Sequence, residues 1–195
     1  MTRIKQLEQS VTDLYEARHP DRADWADWFG ENHVFLVADY ATELAIRYRA
    51  NEELTRAAAL LHDIADTIMS RSDKAHEAKT LEMARELLKK AGYSKKEIHL
   101  VVDDAIRLHS CHDGQPFPKS NEGKILATAD AMGHLLTGFY IYAAWVFGKE
   151  GRNLSQVKQY VLNKLERDFN NKIQFNEIKE ECRLSYNTIV SLFSR

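Results

Sequence analysis

Residues 125–148, ILATADAMGHLLTGFYIYAAWVFG, constrain the fold of this chain more than any other stretch. The run is long enough to span a bilayer, which takes about 20 apolar residues. Asp130 stands near its start and His134 one helical turn on, and glycines interrupt it. The uncharged part from Leu135 to Phe147 is too short to cross alone. The stretch therefore predicts a central helix buried in protein, with no membrane span. A carboxylate on such a helix has to be paired, protonated or bound to a cation. No Lys or Arg lies one turn away on either side. The rest of the chain must then surround this helix and bring Asp130 a partner.

The surrounding sequence reads as helix almost throughout, with only three prolines and few alternating runs. Ile4, Leu7, Val11 and Leu14 form one stripe. The segment RHPDRADWADWFG reads as a loop anchored by Trp25, Trp28 and Phe29. His33, Val37, Ala41, Leu44 and Tyr48 share a helix face. Asn51 is placed to cap the next helix, with Glu52 and Glu53 in its positive first turn. That helix runs through AAALLHD. A further helix is expected to stop at Gly92, and SKKE at 94–97 has the form of a capping box. Ile98, Val101, Val102, Ala105 and His109 form the inner face of the helix it opens. SCHDGQPFPKS, 110–120, reads as a loop. After a weak boundary at Gly148–Asn153 the tail is again helical. We expect an all-α bundle with a main domain over 1–150 and a helical C-terminal extension over 151–195, which could equally complete the main core.

The second constraint is the pair His62–Asp63, closing an apolar helix. Eight histidines among 195 residues, with thirteen aspartates, give about half a chance His-Asp pair. The chain has two. His112–Asp113 sits in the Gly/Pro loop, where Asp-Gly is a turn signal. His62–Asp63 is different in context: a cap, a buried hydrogen-bonded pair, and two ligands to one metal ion all fit it. His33, His62, Asp63 and Asp130 each fall on or beside an apolar face, and imidazole and carboxylate suit divalent first-row metals.

The order H33…H62-D63…D130, with AALLHDI and a downstream KILATAD, resembles the HD-domain superfamily of metal-dependent phosphohydrolases over roughly residues 30–145. The resemblance implies a helical bundle with a metal at its centre, held by His33, His62, Asp63 and Asp130. Members with two ions carry extra histidines between the HD pair and the last Asp, in settings like those of His76 and His109. By that likeness His76 and His109 are candidate ligands. On its own, His76 reads equally as a solvated or capping residue at a helix start. His109 faces inward, toward metal or substrate phosphate. His134 reads as a core histidine beside the site, and His19 and His99 as surface residues. HDIADT also resembles HD hydrolases of guanosine polyphosphates, where an acidic residue follows the pair. On that likeness Asp66 joins Asp63 as a catalytic candidate; its plain reading is a surface carboxylate at a helix end.

The implied activity is hydrolysis of a phosphomonoester or phosphodiester through a metal-bound hydroxide. It uses one or two divalent ions drawn from Mn, Fe, Co, Ni, Mg or Zn. Arg71, Lys74, Arg107 and Lys124 flank the proposed ligands and are the cations expected to meet substrate phosphate. The expected substrate is a small phosphorylated metabolite, a nucleotide, with Trp25, Trp28, Phe29 and Phe117 available to stack on a base or simply to pack. A net charge of −2 gives no reason to expect a nucleic-acid partner. Cys111 and Cys182 stand far apart, and the amphipathic, charged start MTRIKQLEQSVTDLYEA lacks a signal-peptide core, which points to the cytoplasm. The aromatic stretch 139–147 suits either a homodimer interface or the core. Two rivals follow from the same resemblance. One is a di-iron oxygenase using a six-ligand set of His33, His62, Asp63, His76, His109 and Asp130. The other is a non-catalytic HD signalling module.

Overall fold

Helix α7 (Asn121–Leu135) is the axis of the structure, a computed structural model that describes residues 1–194. Ser120 caps its first turn by accepting from the Gly123 backbone N–H. From Ile125 to Leu135 every residue of α7 is buried. A helix buried on all faces needs cover on all faces, and the chain supplies it. α3 (Phe35–Arg47) and α4 (Glu52–Leu61) pack against α7 and each other. α1 (Arg3–Glu16) lays Leu7 and Val11 over α4. Fully buried side chains such as Leu60, Leu61, Ile125 and Leu126 each contribute about 1.5–3 kcal/mol relative to exposure.

The local signals act as the sequence leads one to expect. The Asn51 side chain accepts from the Leu54 N–H to open α4. α5 (His76–Lys90) ends at Gly92, whose φ of +86° is the left-handed conformation that glycine adopts without strain. Ser94 and Glu97 form a reciprocal capping box on the short α6 (Lys95–His99). No strand is present among the described residues, and no helix there is long and apolar enough to cross a membrane.

Three features depart from the expected outline. First, 125–148 is not one helix. α7 stops at Leu135, and α8 (Phe139–Lys149) starts after a break. Thr137 makes the break: its hydroxyl donates to the Gly133 carbonyl and accepts from the Phe139 N–H, and Gly138 follows it. Second, the loop of 18–30 already turns helical at α2 (Ala26–Phe29), which buries Phe29. Third, the helical path carries π-helical turns at Gly30–Val34, Leu100–Ile106 and Asp168–Lys172. A π turn adds one residue to a helical turn, so it re-aims every side chain beyond it.

The tail packs on the same core. α9 (Leu154–Arg167) buries Val157, Val161 and Leu165, and α10 (Asn176–Ser194) buries Ile178 and Cys182. Between them the third π turn lies against α7, with Phe169 and Ile173 in the common hydrophobic cluster. Thr128, on α7, fixes this turn. Its hydroxyl donates to the Lys124 carbonyl of its own helix at 2.8 Å, lies 3.3 Å from the Lys172 carbonyl, and accepts from the Gln174 N–H at 3.0 Å.

Candidate metal centre

Four side chains from distant parts of the chain meet beside the middle of α7. His33 comes from the first π turn, His62 caps the C-terminus of α4, Asp63 follows it, and Asp130 projects from α7. His33 Nε2 lies 3.1 Å and His62 Nε2 3.9 Å from Asp130 Oδ1, and His62 Nε2 lies 3.3 Å from Asp63 Oδ2. His33, His62 and Asp130 are almost wholly buried. Ligand atoms of His33, His62 and Asp63 lie within 4.8 Å of one another, as do those of His62, His109 and Asp130 and those of His33, Asp130 and His134.

Chemistry decides what can bind there. A backbone carbonyl only accepts, so the His62 Nδ1–H must donate to the Ala59 carbonyl at 2.7 Å. That leaves a lone pair on Nε2, aimed at the centre. His109 repeats the device, donating from Nδ1 to the Ile106 carbonyl at 2.6 Å. His62 Nε2, both ring nitrogens of His33, and Asp130 Oδ1 are buried without a hydrogen-bond partner. These buried nitrogen and oxygen atoms converge without satisfied hydrogen bonds, and a cation among them satisfies them together. The set His33, His62, Asp63 and Asp130 therefore fits a divalent metal ion, with nitrogen and oxygen donors.

Charged groups surround this set. Arg71 pairs with both Asp63 and Asp66, and also reaches Asp66 Oδ1 through Nε at 3.1 Å. Burial works against the charge of Asp63, but Arg71 and His62 outweigh it and hold its carboxyl well below the usual range. On the other side Lys172 contacts Asp130 Oδ2 and lies 3.8 Å from Asp168. Burial again opposes the charge of Asp130, and His134 and Lys172 overcome it, so it too stays ionised. His134 Nε2 is 3.2 Å from Asp130 Oδ1, and its Nδ1 is 2.9 Å from Asp168 Oδ2. Asp168 also receives the Tyr140 hydroxyl at 2.6 Å and faces Lys164 at 3.3 Å.

Burial brings His109 down to about 4 and His134 to about 3, so both are neutral at pH 7. His62 moves the other way: burial lowers it, but Asp63 and Asp130 more than reverse that. Unfolded histidines take up protons near pH 6.5, which folded His109 and His134 refuse. The unfolded state therefore binds more protons below 6.5, and stability falls with falling pH by roughly 1.4 kcal/mol per unit for each of the two. His62 offsets one of them at most. Urea denaturation of the metal-free protein at pH 7 and pH 5 should show the lower stability at pH 5.

The expected site residues take different places. His33, His62, Asp63 and Asp130 come together, and His109 stands at their edge with Nε2 3.6 Å from Asp130 Oδ2. His76 turns its Nε2 to Asp66 Oδ1 at 2.8 Å. Asp66 is fully buried and engaged by Arg71 and His76, rather than lying on the surface at a helix end. Arg71 and Arg107 line a cavity of about 190 Å³ that opens onto His62, Asp63 and His109. Arg107 also holds Asp103 at 2.9 Å. Lys74 is exposed, Lys124 is half-buried on the first turn of α7, and neither lines the cavity. Lys164, Asp168 and Lys172 were not among the sequence candidates. Their signal is faint: an i, i+4, i+8 row of alternating charge in KLERDFNNKIQF, interleaved with Leu165, Phe169 and Ile173.

Gly133 lets the histidine in. A Cβ there would meet Val37 Cγ2 at 2.7 Å and His33 Nδ1 at 3.2 Å. Gly133→Ala should cost about 1–3 kcal/mol by overpacking, and it should displace the His33 ring. Thermal denaturation and metal retention after dialysis should both fall, whereas a purely steric defect away from His33 would lower the first alone.

Fold and geometry together define a helical domain built around a buried His/Asp centre suited to a divalent cation. The sequence profile of the HD domain matches residues 30–133, and the chain belongs to the HD domain family. Ribonuclease Y of Desulforudis audaxviator (strain MP104C) is 29% identical over 123 residues. That match takes in 58% of this chain and 22% of the other, so this chain spans about a fifth of that relative. The crystal structure of a predicted HD superfamily hydrolase from an uncultured Thermotogales bacterium has the same fold, with a TM-score of 0.60 at 22% identity, covering 96% of this chain and 89% of that one. The family profile ends at 133, so Asp168 and Lys172 lie outside it.

Proposed function

We propose that this chain is a metal-dependent phosphohydrolase acting on a small phosphorylated metabolite, a nucleotide by preference. The observation that carries the reading is the ring of buried, unpartnered acceptors on His33, His62 and Asp130, opening through Asp63 and His109 into a cavity bordered by Arg71 and Arg107. A divalent ion held by His33, His62, Asp63 and Asp130 would supply Lewis acidity and lower the pKa of water toward ~7.

The protein's own groups do the rest. Arg71 and Arg107 offer guanidinium donors to phosphoryl oxygens entering the cavity. His109, neutral at pH 7, presents the Nε2 lone pair to the cavity and accepts a hydrogen bond from water or a protonated phosphoryl oxygen. Asp66 is a positioning residue, holding Arg71 and His76 at the rim.

The nucleotide preference rests on size and lining. The cavity of about 190 Å³ is below the usual range for a whole metabolite, roughly 300–1,000 Å³, and suits a phosphoryl group. A second cavity of about 350 Å³ shares Arg71 as a wall and is lined by Trp25, Phe147 and Tyr160. Aromatic edges of this kind accept a base. Of the other aromatic residues expected to stack, Trp28 already stacks on Tyr142 at 4.4 Å and Phe29 is buried. The likeness to ribonuclease Y supports a second reading, a phosphodiester in RNA. A net charge of −2 favours the small substrate over a polyanion.

The test is elemental analysis of the purified chain, coupled to phosphate release with Mn²⁺, Co²⁺ and Mg²⁺ across mononucleotides, cyclic and dinucleotides, and an RNA oligomer. Turnover of a small nucleotide supports the proposal. Turnover of RNA alone moves it to the second reading. Retained iron with oxygen uptake and no phosphate release overturns both in favour of an oxygenase, and an inert metal-free protein points to a non-catalytic module.

A further inference from the structure

Asp130 has two oxygens, and the structure divides them. Oδ1 turns to His33, His62 and His134, and has no hydrogen-bond partner. Oδ2 turns the opposite way, to the Lys172 ammonium and His109. We propose that Lys172 is a built-in cation that takes the place of a second metal ion and limits the centre to one. This rests on the proposal that His33, His62, Asp63 and Asp130 hold an ion.

Three observations carry the inference. The first is occupancy. A second ion between His109 and Asp130 would need Oδ2, and Lys172 is already on it, with 2% of its side chain exposed. The second is the donor set. His76, the other histidine suited to a second ion, belongs to none of the groups of three ligand atoms lying within 4.8 Å of one another among the described residues, and its Nε2 turns to Asp66 at 2.8 Å. The third is charge. Asp63, Asp66, Asp130 and Asp168 are four buried or nearly buried carboxylates, faced by three cations, Arg71, Lys164 and Lys172. One divalent ion turns this surplus of one negative charge into one positive charge, suited to an anionic substrate. Two would leave three uncompensated positive charges in a poorly solvated site, where each unpaired charge is costly. The backbone just beyond Lys172 is anchored as well, by the Gln174 N–H donating to Thr128 on α7, and the Lys172 side chain is buried, so the ammonium is not a wandering surface group.

The experiment titrates Mn²⁺ into the metal-stripped full chain. It reads bound manganese per chain after gel filtration, with the electron paramagnetic resonance spectrum at each loading. The wild type should saturate at one ion with an uncoupled six-line signal. Lys172→Gln should admit a second ion and give an exchange-coupled spectrum, whereas Lys172→Arg should stay at one. Two ions in the wild type, or one ion in a folded Lys172→Gln variant, overturns the proposal. If Lys172→Gln does not fold, His109→Ala decides: unchanged stoichiometry supports the single-ion centre, and loss of one ion overturns it. A wild type that binds no ion at all removes the metal centre itself, an outcome distinct from binding two.

Discussion

Asp63→Ala should strip the chain of its metal and lower the proposed phosphate release by about 10²–10³-fold, the scale of losing a preorganised electrostatic group. The expectation follows from position. Asp63 is the one carboxylate of the set that also borders the cavity, so it would touch both a bound ion and the approach to it. The fold should survive. Arg71 keeps Asp66 as a partner, through Nε and the terminal nitrogen, so the substitution strands no buried charge. Asp63→Asn keeps the shape and removes the charge, and should lose metal nearly as completely. Asp113→Ala, in the other His-Asp pair, is the control. Asp113 is exposed and accepts only from Asn171 at 2.9 Å, and metal and activity should stay within about two-fold. Metal content by elemental analysis and circular dichroism on each variant complete the comparison. If Asp113→Ala loses the ion and Asp63→Ala keeps it, the centre lies elsewhere.

How much of this was legible in the sequence depends on what kind of helix carries each residue. His33, His62, Asp63 and Asp130 stood out because each is a polar group on a face otherwise filled by Val, Leu and Ala, and such a face has to be buried. Asp130 without a neighbouring cation announced that its partner came from far away. The identity of the nearest cation, Lys172, was hidden by the rule used to read helices. A period of 3.6 residues assigns Lys164, Asp168 and Lys172 to an ordinary salt-bridged stripe, normally solvated. The π turn over 168–172 re-aims the end of that stripe into the core. The same device sits at His33 and ahead of His109, so all three π turns bear on the site. The break at Thr137 was obscured for another reason. Hydrophobicity runs on through it, and only the hydroxyl's double hydrogen bond stops α7 and starts α8.

Asp168→Ala should cost about 3–5 kcal/mol, the penalty for removing one member of a buried charge network. Among the described residues of the tail, no other side chain has so many polar partners. Its carboxylate takes the Tyr140 hydroxyl at 2.6 Å, approaches His134 Nδ1 at 2.9 Å and Lys164 at 3.3 Å, and is itself fully buried. Burial opposes its ionisation, but Lys164 and His134 hold it charged well below the usual carboxylate range. The stability this provides is therefore complete above the ordinary carboxylate pKa and is lost only as acid titrates the folded group. Removal leaves the Tyr140 hydroxyl without an acceptor and Lys164 without its counter-ion. Lys172 keeps Asp130 alone. At roughly 2–4 °C per kcal/mol for a chain of this size, melting should drop by about 6–20 °C. Asp168→Asn still accepts from Tyr140 and should lose about half as much. Hydrogen exchange separates two accounts of the tail. Because Phe169 and Ile173 belong to the core that α7 organises, Asp168→Ala should speed exchange in α7 and α8 as well as in α9 and α10. Faster exchange confined to residues 151–194 would mean that the tail is an independent lobe, and the loss would then leave manganese retention untouched. Since Asp168 braces His134 and Lys172, both in contact with Asp130, manganese retention should weaken as well, by about 10–100-fold, as for other residues that orient metal ligands.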